Sequence, residues 1–266
     1  MELAQHLKVA ALADLHHTKS AQGTATGLFQ EIAEQADVCV LCGDLTDYGL
    51  PEEAEALLAD LQPVLSKPCL AVLGNHDFES DAADKLIELF TGAGIKLLDG
   101  ECVEVQGVGF AGVSGFGGGF GKSMLNAWGE RAVKEFVRES VDQALRLERA
   151  LARLSTPTKI AVLHYAPIRD TVVGENPEVF PFLGSTRLEE AIDRYGVHIA
   201  LHGHAHNGQP HGRTGKGADV YNVAIPLLKR DKLDPRSYRL LHVPLETAGR
   251  EESGISPGPG LTEPGI

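Results

Sequence analysis

The stretch VCVLCGDLTDYG, Val38 to Gly49, sets five apolar residues against an abrupt polar turn. Val38 to Cys42 has the length and composition of a strand buried on both faces. Gly43 lets the backbone turn. Asp44 follows at once, and Asp47 comes three residues later. An isolated buried carboxylate is too costly to keep ionised. Asp44 must therefore be solvated, paired, or bound to a cation.

The chain around this stretch alternates short apolar runs with helical patterns. Further strands are predicted at Leu7–Ala13, Cys69–Leu73, Ile95–Leu98, Cys102–Val105, Val108–Val113, Lys159–Leu163, His198–Leu201, Asp219–Val223 and Tyr238–Val243. Helical periodicity marks segments near Thr24–Gln35, Pro51–Leu65, Ser80–Thr91, Asn126–Leu154 and Arg187–Tyr195. Strand–helix–strand alternation in the first part of the chain predicts a parallel sheet. The closely spaced strands from Ile95 to Val113 predict an added antiparallel part. Ser114 to Gly121, SGFGGGFG, is a flexible or tightly turning loop. With the long amphipathic helix after it, it makes a segment, residues 114–156, of the size of an insertion that could overhang a site. Core packing is the expected role of that helix. One domain over residues 1–245 follows, with a Gly/Pro-rich tail over 246–266.

Bulk composition narrows the function classes. The chain has 266 residues, with 37 acidic against 24 basic side chains and a net charge of −13. That balance argues against nucleic acid or an anionic membrane as partner, since both need a basic face. It leaves room for a phosphate-bearing small molecule if metal ions invert the sign locally. No apolar run approaches the length of a membrane span. The opening MELAQHLKVAALADLHH lacks the basic start and long apolar core of a secretory signal. Cys39 and Cys42 form a C-x-x-C inside a strand with no second pair to complete a zinc site. With Cys69 and Cys102 they are expected to be small core residues of a cytoplasmic, reducing compartment. No feature of the sequence assigns an oligomeric state.

Five predicted strands each end on polar groups of metal-ligand type. They are Asp14-Leu15-His16, Gly43-Asp44-Leu45-Thr46-Asp47, Gly74-Asn75-His76-Asp77, His164, and His202-Gly203-His204-Ala205-His206. In open α/β sheets, sites are built in the crevice beyond the strand C-termini. Residues i and i+2 of extended backbone point the same way, so Asp14 can act with His16, and His204 with His206.

In order, these residues spell D-x-H, G-D-x-x-D, G-N-H-D, a single H and G-H-x-H. The pattern resembles that of the calcineurin-like metallophosphoesterases, and the resemblance spans Asp14 to His206. The wording LCGDLTDYG, VLGNHDF, VLHYAP and LHGHAHNG looks like the bacterial phosphodiesterase branch. The resemblance implies an α/β fold, a four-layer α/β/β/α sandwich of two mixed sheets flanked by helices. It implies two divalent metal ions, one held by Asp14, His16, Asp44 and His206, the other by Asp44, Asn75, His164 and His204. Asp44 would bridge them. The donors are imidazole, carboxylate and amide without thiolate, which suits Mn, Fe or Zn. The implied reaction is hydrolysis of a small phosphoester, a phosphodiester before a phosphomonoester, by a hydroxide bridging the ions. His76 would assist the leaving group, oriented by Asp77.

Several residues have plainer readings. Asp47 fits a turn, or a group supporting the ligands. His6, His17, His198, His202, His211 and His242 fall outside the ligand pattern. Gly121-Lys122-Ser123 invites a P-loop, but that motif needs a glycine where Phe116 stands. Lys122 and Arg213 are expected to be surface cations. A non-catalytic scaffold should have lost ligands or the His76 position, and none is lost.

Overall fold

The computed structural model describes residues 6–231 and 236–245. β2 (Val38–Cys42) is buried at all five positions, and its side chains divide between two cores. Val38, Val40 and Cys42 face one, and Cys39 and Leu41 face the other. The two cysteines of C-x-x-C therefore point to opposite sides of one sheet, as residues i and i+3 of a strand must. They cannot chelate one ion. All four cysteines are free.

β2 is central in a five-stranded sheet. Its neighbours are β1 (His6–Leu12) and β3 (Cys69–Val72), both parallel to it. β4 (Lys96–Leu97) extends the sheet beyond β3, and β11 (Arg239–Pro244) closes the other edge antiparallel to β1. A second, six-stranded sheet contains β5 (Glu101–Val105), β6 (Val108–Gly112), β7 (Thr158–Val162), β8 (Ile199–His202), β9 (His211–Arg213) and β10 (Asp219–Asn222). Its order is β5-β6-β7-β8-β10-β9, with both edge strands antiparallel. The sheets pack face to face through Val9, Val40 and Val72 of the first and Phe110, Val162 and Leu201 of the second.

Helices cover the outer faces. α1 (Thr26–Gln35), α2 (Pro51–Leu61) and α3 (Ala83–Gly92) set Phe29, Leu57 and Phe90 against Ala10, Leu41 and Ala71 of the first sheet. α4 (Arg131–Ala152) and α6 (Thr186–Arg194) set Leu147, Leu151, Leu188 and Ile192 against Ala111, Ala161 and Ala200 of the second. Short α5 (Phe180–Leu183) and α7 (Ile225–Asp231) complete the helices among the described residues. The result is the four-layer α/β/β/α sandwich expected from the motif pattern.

The departures from sequence expectation have local causes. The antiparallel part is only the β5–β6 hairpin, which turns at Gln106 and Gly107, both at positive φ. β4 is parallel to β3 and belongs to the other sheet. α2 stops at Leu61 because Pro63 cannot continue it, and a single 3₁₀ turn follows. The long helix begins at Arg131, not Asn126, since Gly129 at φ 75° precludes an earlier start. α5, α7 and β9 are too short to give a periodic signal. The tail over 246–266 lies outside the described residues.

Asp60 of α2 fixes the loop that leads away from the end of β1. Its buried carboxylate accepts from Gly23 N–H (2.6 Å), Ala25 N–H (3.0 Å) and Thr26 Oγ1–H (2.7 Å). Replacing it with alanine strands three donors. We predict that Asp60→Ala lowers the unfolding free energy by about 2–4 kcal/mol, read from urea denaturation. A loss below about 0.5 kcal/mol, the level of an ordinary surface change, contradicts this.

Candidate metal centre

The ends of β1, β2, β3, β7 and β8 meet at one edge of the sandwich, and cross-strand backbone bonds lock them there. Asp14 N–H donates to Gly43 C=O (3.0 Å), His16 N–H to Asp44 C=O (3.0 Å) and Gly203 N–H to His164 C=O (3.1 Å). Six non-glycine residues among those described have positive φ, and four of them are here: Asp14 (58°), His16 (43°), Asp44 (48°) and His204 (68°). Such backbone costs roughly 1–3 kcal/mol per residue and clusters where a site demands it. A Cβ at Gly74 would strike the Asp44 carboxylate, and one at Gly203 the Asp14 carboxylate. Both glycines thus permit the close approach of neighbouring strand ends.

Two groups of ligand-type side chains result. Asp14, His16 and His206 form one, and Asp44, His164 and His204 the other, with the donor atoms of each within 4.8 Å of one another. Asp44 lies between the groups. Its Oδ1 is 3.4 Å from His164 Nε2, and its Oδ2 is 3.8 Å from His16 Nε2. Asn75 Oδ1 joins the second group, 3.0 Å from His164 Nε2. All seven residues singled out from the sequence as metal ligands are brought together.

The ring nitrogens facing away from the groups are spoken for. His164 Nδ1–H donates to Cys42 C=O (3.0 Å), and His204 Nε2–H to Phe182 C=O (3.2 Å). His16 Nδ1 lies 3.2 Å from Asp47 Oδ1. These partners aim one nitrogen of each ring at the centre, in the manner of supported metal ligands. His16 Nε2 is buried and makes no hydrogen bond. A buried imidazole nitrogen with no partner, in a nest of carboxylate, amide and imidazole donors, fits a metal ion.

The electrostatics of the donors are strongly coupled. Burial opposes ionisation of Asp44, but the adjacent His164 and the His76 N–H (2.9 Å) hold its carboxyl well below the usual carboxylate range. Burial also opposes charge on His164, yet the Asp44 carboxylate outweighs it and pushes the ring up to about 9. His204 is pushed down to about 4 by burial and by the charge of His164. Asp44 and His164 thus each favour the charged form of the other.

His76 stands at the rim with its ring 4.5 Å from that of His16. Its Nδ1–H donates to Asp47 C=O (2.7 Å). This corrects the expectation that Asp77 orients the ring. The Asp77 carboxylate is fully buried and accepts from Gly74 N–H (2.8 Å), Thr46 N–H (2.8 Å), Thr46 Oγ1–H (2.7 Å) and Leu45 N–H (3.2 Å). It ties the turn after β2 to the turn after β3. Asp47 does more than close a turn, since its carboxylate supports His16 and its carbonyl holds His76. His16, Asp47 and His76 also form a third tight group of donors. The carbonyls of Cys42 and Phe182 carry no sequence signal at all.

The remaining candidates lie elsewhere. His17 is buried beside Asp60, and Arg213 pairs with Asp219 (2.9 Å). Lys122 is exposed on a 3₁₀ turn after Phe120, not on a strand–loop–helix, so no P-loop forms.

A family model described as calcineurin-like phosphoesterase matches residues 7–208. The chain belongs to the calcineurin-like phosphoesterase family. Members of this family hydrolyse phosphoesters with divalent metal ions. Phosphopantetheinyl hydrolase from Mycobacterium tuberculosis is similar at 13% identity and a TM-score of 0.63, over 96% of this chain and 100% of that one. A Thermus thermophilus protein is similar at 16% identity and a TM-score of 0.57, over 91% and 100%. These likenesses concern the fold. A search of curated protein sequences returns no match. No helix among the described residues is long and apolar enough to cross a membrane.

His202 gives this phosphoesterase fold a pH signature. Burial pushes its ring down to about 4, and it stays neutral between Gly203 C=O and Thr171 Oγ1 (both 2.8 Å). Its unfolded value is about 6.5. The stabilisation is therefore complete above about pH 6.5 and is lost as pH falls towards about 4. We predict that the urea midpoint of the metal-free protein drops between pH 7 and pH 5, and that it drops less in His202→Asn. Identical declines in the two proteins contradict this.

Proposed function

We propose that this chain is a dinuclear metal-dependent phosphoester hydrolase that favours phosphodiesters. The observation that carries the reading is the pose of Asp44, with one carboxylate oxygen towards each group of donors. Asp14, His16, Asp44 and His206 would hold one ion, and Asp44, Asn75, His164 and His204 the other. Paired divalent ions supply a water of lowered pKa and a clamp on phosphoryl oxygens. Their charge lets an acidic chain take an anionic substrate.

The chain's own residues supply position and proton control. Asp47 and the Cys42 and Phe182 carbonyls fix ring orientation. His76 keeps its Nδ1 proton on Asp47 C=O, so Nε2 is the atom offered to the leaving oxygen. Asp47 and Glu79 add negative charge beside His16 and His76. That charge disfavours the dianion of a phosphomonoester relative to the monoanion of a diester. Four free cysteines, three of them buried, accord with a reducing cytoplasm.

The test is a panel of mono- and diesters assayed with metal-stripped protein refilled with Mn, Fe or Zn. Turnover of diesters above monoesters is expected, and none from the stripped protein. In the same assay, His76→Ala should keep its metal content and lose about 10²–10⁴-fold on alkyl esters, the usual range for general acid catalysis. The loss should be smaller on nitrophenyl esters, whose leaving group departs unaided. Loss of metal, or equal losses on both ester types, contradicts the role of His76.

A further inference from the structure

Beside the metal centre, a cleft runs from Asn75 under α3. Its part next to Asn75 has a volume of about 380 Å³ and is walled by Phe78, Phe116 and Tyr165. A second part of about 280 Å³ continues past Phe78 to Leu73, Ile87 and Leu97. The two share Phe78, Asp99 and Ser114. Together they exceed the ~300 Å³ at which ligand pockets begin. Tyr165 links the cleft to the donors, since its ring lies 4.6 Å from that of His204 and 5.7 Å from that of Phe116. Phe116 in turn packs 4.9 Å from Phe136 of α4.

Two features mark the cleft as a place for apolar atoms. Phe78 is 47% and Ile87 38% exposed, so large apolar side chains face open space on one wall. At the rim Arg146 pairs with Asp99 at 2.8 Å, and the Gln143 amide donates to Glu139 at 2.8 Å. An entering alkyl chain strips water from the apolar surface of Phe78 and Ile87 and need not break either contact.

We propose that this cleft binds an alkyl or aryl arm of the phosphoester while the phosphate sits at the metal centre. The proposal rests on the phosphoester reading and names the substrate class within it: esters of apolar alcohols rather than of sugars or nucleosides. The Gly-rich loop contributes directly, because Ser114, Gly115 and Phe116 line the cleft together with Phe78.

Non-hydrolysable phosphinates, monoanions like a phosphodiester, test this by calorimetry on manganese-loaded protein. Hexyl(methyl)phosphinate should bind at least about tenfold tighter than dimethylphosphinate, well within what burying several methylenes yields. Ile87→Trp, which fills the far part of the cleft, should bring the ratio close to one. Thr91→Trp adds bulk to the same wall one turn further along α3 and serves if the first variant melts early. Val141→Trp, on the exposed side of α4, should keep the wild-type ratio. Equal affinities in the wild type, or a ratio unchanged in the filled variants, overturn the arm site alone. Absence of binding by both phosphinates overturns the phosphoester reading, and the arm site with it.

Discussion

The Asp44 carboxylate is 1% exposed at the end of a strand buried on both faces. Water cannot compensate it, so the surrounding chain has to. That single requirement organises the edge where five strands end. His164 arrives from the second sheet and His16 from the neighbouring strand. Gly43 clears the space for His164 and Gly74 the space for Asp44 itself, and four residues accept left-handed backbone to aim their side chains. The His164 ring beside Asp44 favours the ionised carboxylate. Two cations would satisfy it better, because they also engage Asp14, His16 and the unpartnered His16 Nε2.

The sandwich exists to hold that edge rigid. Both sheets send residues from alternate positions into a shared inner core, and each has its own helical cover. The donors come from both sheets, so their relative positions depend on how well the inner core packs. Asp77 illustrates the same economy at short range. Its buried carboxylate gathers three backbone N–H groups and the Thr46 hydroxyl from two turns, and so keeps Asp44 and Asn75 in fixed relation. Burial raises its affinity for a proton, and those hydrogen bonds oppose the rise.

Much of this was legible in the chain itself. Val38 to Cys42 announces a buried strand by composition, and D-x-H, G-D-x-x-D, G-N-H-D and G-H-x-H announce donors at strand ends by type and spacing. All seven candidate ligands converge for that reason. What escaped was either carried by backbone or set by distant packing. Nothing in the residue types of Cys42 and Phe182 says that their carbonyls fix His164 and His204. Asp77 was assigned to the ring of His76 because it is adjacent in sequence, whereas a 3₁₀ turn sends its carboxylate inward and leaves the ring to Asp47. The placement of β4 in the first sheet depends on a pairing of two residues, too short for any periodic signal. The long helix is expected in the core, and Val137, Ala144, Leu147 and Leu151 are buried there while Val141 and Leu145 stay exposed. Its contribution to the aromatic side of the metal edge, through Phe136 on Phe116, required the fold to be seen.

The proposed centre stands or falls on Asp44 being shared between two metal ions. Metal content after exhaustive loading, measured by elemental mass spectrometry on wild type, Asp44→Asn and Asp47→Asn, tests it most directly. Two ions per chain are expected in the wild type, a fall towards one or none in Asp44→Asn, and near-complete retention in Asp47→Asn, whose carboxylate lies on the far nitrogen of the His16 ring. A single ion in the wild type, or equal metal content in the two variants, would contradict it.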